Sequence, residues 1–158
     1  MATPDFVREL RTQVGSQLLF LPGVTALVFD DRGRLLLNRR SDTGNWAVLG
    51  GIVEPGEQPA DAAAREVLEE TGVRVAVERL VAVLTSEEVN YPNGDLAQFL
   101  SVVFRCRAVS GEARVADDES LEVGWFALDA LPKLSERSLA VIACAAGDGP
   151  AWFRAPLS

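Results

Sequence analysis

Apolar residues recur along this chain in two rhythms. Phe6, Leu10 and Val14 stand four apart, the spacing of one helical face, and Gly15 follows where a helix would stop. That predicts a short helix over 4–14. The rhythm then changes to short aliphatic and β-branched runs. A strand is expected over 24–29 and another over 35–37, joined by the turn residues Asp30-Asp31-Arg32-Gly33, the pattern of a hairpin. After a loop over 41–45, the segment 46–48 reads as short and extended. Gly50-Gly51 and Pro55-Gly56 punctuate the next stretch. Over 59–70 the period returns to helical, with Ala60, Ala63 and Val67 on one face and Gly72 placed to end it. Strand character resumes over 73–84, 96–109 and 121–128, with a polar loop over 87–95 and a closing helix over 134–146. Strands outnumber helices and enclose the central helix, so the chain is expected to be a mixed α/β domain with helices packed on a sheet.

Composition narrows the chemistry. A chain of 158 residues with 48% hydrophobic and 24% charged residues is expected to form one folded domain over 1–158. Within it lie an N-terminal helix in 1–15, a glycine- and glutamate-marked segment in 51–73, and a helix and tail in 134–158. The net charge is −8, which disfavours general attraction to nucleic acid or anionic membrane. There is no histidine, which removes His-ligated zinc, His general bases and Ser-His-Asp catalysis together. Cys106 and Cys144 are far apart in sequence, and are expected to be reduced core thiols of a cytoplasmic protein. The first fifteen residues are too charged for a signal peptide, and the apolar stretch over 18–29 is too short to span a bilayer.

The segment 51–73 carries the strongest signal. Glu66, Glu69 and Glu70 fall at i, i+3 and i+4, so a helix sets their carboxylates on one face. Such like charges repel unless a cation is present, and hard divalent ions take oxygen ligands together with substrate phosphates. Arg65 and Glu57 are suited to pair and hold the helix against the preceding loop. Gly50 and Gly51 allow close approach of backbone to a ligand or ion. Elsewhere, Arg39 and Arg40 are consecutive on a strand, so one of them is expected to face substrate phosphate. Tyr91 lies in a polar loop of the kind that borders substrates. Trp46 is expected to pack in the core. The apolar face of the first helix calls for cover, either from its own domain or from a second copy in a homodimer.

Gly51, Glu57, Arg65, Glu66, Val67, Glu69, Glu70, Gly72 and Val73 together match all nine fixed positions of the Nudix box, so the chain resembles the Nudix hydrolase superfamily over roughly 24–132. One departure is Leu49, where many relatives have proline. The resemblance implies a Nudix fold, an α-β-α sandwich around a mixed β-sheet. It also implies a hydrolase that cleaves a nucleoside diphosphate linked to another moiety, with Mg²⁺ or Mn²⁺, by attack of water on phosphorus. Glu66, Glu69 and Glu70 match the metal ligands, with the Gly50 carbonyl adding one, Glu57 supporting the site and Arg65 orienting the glutamates. The general base is implied to be either Glu66 or a carboxylate from a later loop. In the Asp117-Asp118-Glu119 run and its neighbourhood, Glu119 and Glu122 are the foremost loop choices. Markers of several specialised branches are missing, among them the proline that ADP-ribose-cleaving relatives often carry past the box, where this chain has Glu87-Glu88. What is left is a mutator-type nucleotide pyrophosphatase acting on small nucleotides, or alternatively a non-enzymatic ligand-binding domain of the same fold.

Overall fold

The computed structural model describes residues 3–157. The elements in chain order are α1 (Asp5–Val14), β1 (Leu19–Phe29), β2 (Leu35–Arg40), β3 (Trp46–Ala47), β4 (Leu49–Ile52), α2 (Pro59–Thr71), β5 (Arg74–Thr85), β6 (Val89–Asn90), β7 (Leu96–Ser110), β8 (Ser120–Phe126) and α3 (Glu136–Ala145). Eight strands form one mixed sheet with the path β3-β2-β1-β7-β5; β4 pairs with β1, β6 with β7 and β8 with β2. Among the described strand pairs only β1 and β7 run parallel, in register from Leu19↔Ala97 to Phe29↔Arg107.

Side chains alternate across β1, and this alternation builds the layers. Ala26 and Val28 face α2, packing with Ala62, Ala63 and Val67. Leu27 and Phe29 face α3, packing with Val141, Ile142 and Ala145. The expected sandwich of helix, sheet and helix is thus present. No helix among the described residues is long and apolar enough to cross a membrane.

Local chemistry sets the helix ends. Pro59 opens α2 at a position where its missing N–H costs nothing, and Gly72 closes it at φ 72°, the left-handed region that favours glycine. The Ser135 hydroxyl accepts from the Ser138 amide at 3.1 Å and caps α3.

Two features depart from the sequence pattern. The expected hairpin forms its turn, with Asp30 Oδ1 accepting from the Arg32 and Arg34 amides, yet β1 and β2 pair only at Phe29↔Leu35. Beyond that point β4 pairs with β1 over Gly23–Ala26, and β8 takes β2. Gly50-Gly51 is a strand rather than a turn. A Cβ at Gly50 would sit 2.2 Å from the Val24 carbonyl oxygen, so glycine is what lets β4 lie this close to β1.

The apolar face of α1 folds onto its own domain. Val7, 3% exposed, packs with Leu21, Ile52 and Ala97, flanked by Phe6, Tyr91 and Phe99, while Leu10 stays exposed. Arg11 ties the helix down through the Leu96 carbonyl (2.7 Å) and the Gln17 carbonyl (2.6 Å). Cys106 is buried and Cys144 partly so, and both are free; burial pushes the Cys106 thiol up to about 12.

Candidate active site

The acidic face of α2 splits in two. Glu66 and Glu70 are 7% and 4% exposed, whereas Glu69 points outward. The three carboxylates read as one face therefore divide into a buried pair and a solvated third. Glu66 packs onto Gly51 so closely that a Cβ there would fall 2.1 Å from the glutamate Cδ. This close approach fixes glycine at position 51.

Arg65 organises the site. Its Nε and Nη2 donate to the two Glu57 oxygens at 2.8 and 2.9 Å, its Nη1 to Glu66 at 2.9 Å and Glu69 at 3.3 Å, and its Nη2 to the Ile52 carbonyl at 3.2 Å. The guanidinium is held charged, raised above its ordinary range chiefly by Glu57. Glu57 in turn is lowered by Arg65, and also accepts from the Glu54 amide at 3.1 Å. Both oxygens of Glu57 are thereby committed to tying α2 to the preceding loop.

The buried pair is electrostatically frustrated. Burial raises Glu66 against the pull of Arg65. Burial, then the charges of Glu66 and Asp117, push Glu70 up to about 8. Asn38, itself 6% exposed, donates from Nδ2 to Glu70 Oε2 at 3.2 Å and to Ser120 Oγ at 3.1 Å. Sequence reading missed Asn38, although a polar residue ending the run Leu35-Leu36-Leu37 was the available sign.

Three clefts open in this region, the first of them bordered by Glu66. One of about 850 Å³ is lined by Arg65, Glu66, Glu69, Asp117 and Glu119. Another of about 620 Å³ runs under α1, past Val7, Arg40, Tyr91 and Glu119. The third, of about 410 Å³, is bordered by Arg40, Gly50, Gly51, Tyr91, Phe99 and Arg137.

The remaining expected residues separate accordingly. Arg40 and Tyr91 line two clefts each, and Arg40 is bound to Asp42 at 2.6 and 2.9 Å. Burial raises the Tyr91 phenol. Arg39 lies apart, paired with the exposed Glu122 across β2 and β8 and bonded to the Gly44 carbonyl at 3.0 Å. Neither Arg39 nor Glu122 borders these clefts. Glu119 lies at the junction of two clefts, and its carbonyl accepts from the Ser41 amide at 2.7 Å. Trp46 packs edge-on against Phe126 with ring centres 4.8 Å apart, in the core as expected.

Among the described residues, no three Asp, Glu, Cys or His side chains converge on one point as placed. The donor chemistry still fits a hard divalent cation. Two desolvated carboxylates face the same interior, their mutual repulsion answered in part by Arg65, and a cation is what would relieve the rest.

Comparison with known proteins agrees with this geometry. The model of the NUDIX domain matches residues 19–143. A MutT-like protein of Streptomyces ambofaciens is 40% identical over 120 residues, covering 76% of this chain and 70% of that one. An ADP-ribose pyrophosphatase of Methanocaldococcus jannaschii is 35% identical over 114 residues, covering 71% and 64%. An NAD-capped RNA hydrolase, NudC, of Pseudomonas aeruginosa is 36% identical over 118 residues, but the match spans only 40% of its length against 72% of this chain. Among solved structures, a UDP-X diphosphatase superposes with a TM-score of 0.64 at 28% identity, covering 91% of this chain and 70% of that one.

Proposed function

Since the chain belongs to the Nudix family, we propose that it is a divalent-metal-dependent hydrolase of small nucleotides, cleaving the pyrophosphate linkage of a nucleoside diphosphate joined to a second moiety. The observation that carries this reading is the buried Glu66–Glu70 pair, organised by Arg65 and left short of positive charge. The relatives named for ADP-ribose, NAD-capped RNA and UDP-X support the diphosphate class without choosing the linked group. The net charge of −8 favours a compact nucleotide over a long RNA.

Glu66 and Glu70 would hold the ion, Mg²⁺ or Mn²⁺, with Glu69 and the Gly50 carbonyl as further oxygen donors. When bound, the cation neutralises phosphate charge and acidifies water. Phosphoryl transfer needs positioning and charge neutralisation more than covalent help from the protein. Arg65, anchored by Glu57, keeps the α2 glutamates in place. Arg40 and Tyr91 border the path of the substrate. Glu119 takes the proton of the attacking water as the oxygen joins phosphorus and the bridging P–O bond breaks. That assignment favours Glu119, which borders two of the clefts, over Glu122, which borders none of the three, and over Glu66, whose proton affinity a bound cation would lower.

A panel of nucleoside triphosphates, nucleotide sugars and dinucleotides, assayed with Mg²⁺ for released phosphate, pyrophosphate or nucleoside monophosphate, tests the reading. Turnover of at least one diphosphate substrate is expected, with loss of about 10²-fold or more on chelation. Turnover that survives a chelator, or none across the panel, overturns it.

A further inference from the structure

The cleft beside Gly50 and Gly51 contains two arginines in different electrostatic states. Arg40 is neutralised by Asp42, which it meets at 2.6 and 2.9 Å. Arg137, in the first turn of α3, forms no ion pair among the described residues. Its sole hydrogen bond there runs from Nη2 to Ser101 Oγ, at 2.7 Å. Ser101 is 3% exposed on β7, so the guanidinium is anchored to the sheet through one of its five N–H donors. The rest of the guanidinium is exposed and borders the cleft.

The placement of Arg137 gives this cation a meaning. α2 and α3 pack on opposite faces of the sheet, and Arg137 of α3 lines a cleft that Gly50 and Gly51 of β4 also border. One side is Gly51, against which Glu66 rests. A substrate whose diphosphate lies at Glu66 and Glu70 would reach Arg137 by extending past Gly51 into this cleft, beside Tyr91 and Phe99. A neutral group there would leave the guanidinium to water, whereas an anion meets both its charge and the planar fork of donors.

We infer that Arg137 is a specificity residue that receives a negatively charged group, phosphate or carboxylate, on the part of the substrate remote from the cleaved linkage. The inference rests on the hydrolase reading for the position of the diphosphate.

Two matched pairs test it: UDP-glucuronate against UDP-glucose, and ADP-ribose 2′-phosphate against ADP-ribose. Within each pair only the added anion differs. Wild-type protein with Mg²⁺ should favour the charged member of at least one pair by about 10–100-fold in kcat/KM, mainly through KM. Arg137→Met should abolish that ratio while keeping the rate on the uncharged member, and Arg137→Lys should restore part of it. Calorimetric titration of the same pairs into Glu70→Gln protein reads the preference as Kd without turnover. Hydrolysis with no preference in either pair, or an Arg137→Met variant that slows both members alike, overturns the inference and leaves the hydrolase reading intact. A preference in binding by a protein that hydrolyses nothing across the wider panel supports the Arg137 subsite and overturns the hydrolase reading. Absence of both overturns both.

Discussion

Glycine 51 shows how much one residue controls here. Its missing Cβ is the space the Glu66 carboxylate occupies, with an ideal Cβ 2.1 Å from the glutamate Cδ. Gly51→Ala should therefore push Glu66 aside, costing about 10²-fold or more in kcat/KM and weakening activation by Mg²⁺. Gly50→Ala meets backbone instead, the Val24 carbonyl at 2.2 Å, and should act on the fold. Thermal unfolding and metal-dependent kinetics of the two variants separate these effects: a larger loss of Tm for Gly50→Ala, and a larger loss of metal activation per degree of Tm for Gly51→Ala. Equal behaviour would contradict the assignment of Gly51 to the site.

At the scale of elements, the chain entering β8 decides which carboxylate reaches the cleft. Glu122 sits within β8 and faces Arg39 of the neighbouring strand, an exposed pair of the kind worth at most about 1 kcal/mol. Glu119 lies before the strand, where the loop turns over the clefts and is held by the Ser41 amide. Glu119→Gln should lower kcat by about 10²–10⁴-fold with the apparent affinity for Mg²⁺ largely kept, while Glu122→Gln should stay within about threefold of wild type. If Glu119→Gln remains fully active while Glu66→Gln is inactive yet still binds Mg²⁺, the base is on α2. The same element scale explains α1: its docking through Val7 and Arg11 makes it a wall of the cleft it covers.

For the molecule as a whole, the buried carboxylate pair couples stability to pH and to metal. Glu70 titrates near 8 in the folded, metal-free protein, well above the ordinary carboxylate value of 4.5. Below about pH 4.5 the group is protonated in both folded and unfolded chains and contributes no penalty. Between about 4.5 and 8 the unfolded chain releases the proton while the folded chain retains it, so stability falls as pH rises through this window and levels off above it. Chelated protein should accordingly melt lower at pH 8.5 than at pH 5.5, by about 2–4 °C for each kcal/mol lost. Glu70→Gln should flatten that dependence, and Mg²⁺ should recover most of the alkaline loss, since a cation stabilises the ionised pair. Melting curves across pH with chelator and with Mg²⁺ measure it. A chelated protein whose Tm rises over this interval would show that Glu70 is not held neutral.

The sequence by itself determined the helix α2 and the family to which the chain belongs, because nine spaced residues and a helical period are local facts. Gly72 ends that helix, Arg65 and Glu57 pair, and Trp46 joins the core, all as the one-dimensional pattern implied. The alternation that sends Ala26 and Val28 one way and Leu27 and Phe29 the other was likewise legible as a run apolar on both faces. Tertiary structure decided the rest, because it depends on strands distant in sequence. The spacing of Glu66, Glu69 and Glu70 is the same whether they are exposed or buried, and only the approach of β4 and β2 buries two and leaves one in water. Adjacent arginines on β2 look alike until β8 claims Arg39 for Glu122, leaving Arg40 to line the clefts. Arg137 carried no signal at all, since the role proposed for it turns on its having no ion pair among the described residues, and a linear sequence does not show which charges will lack one once the chain has folded.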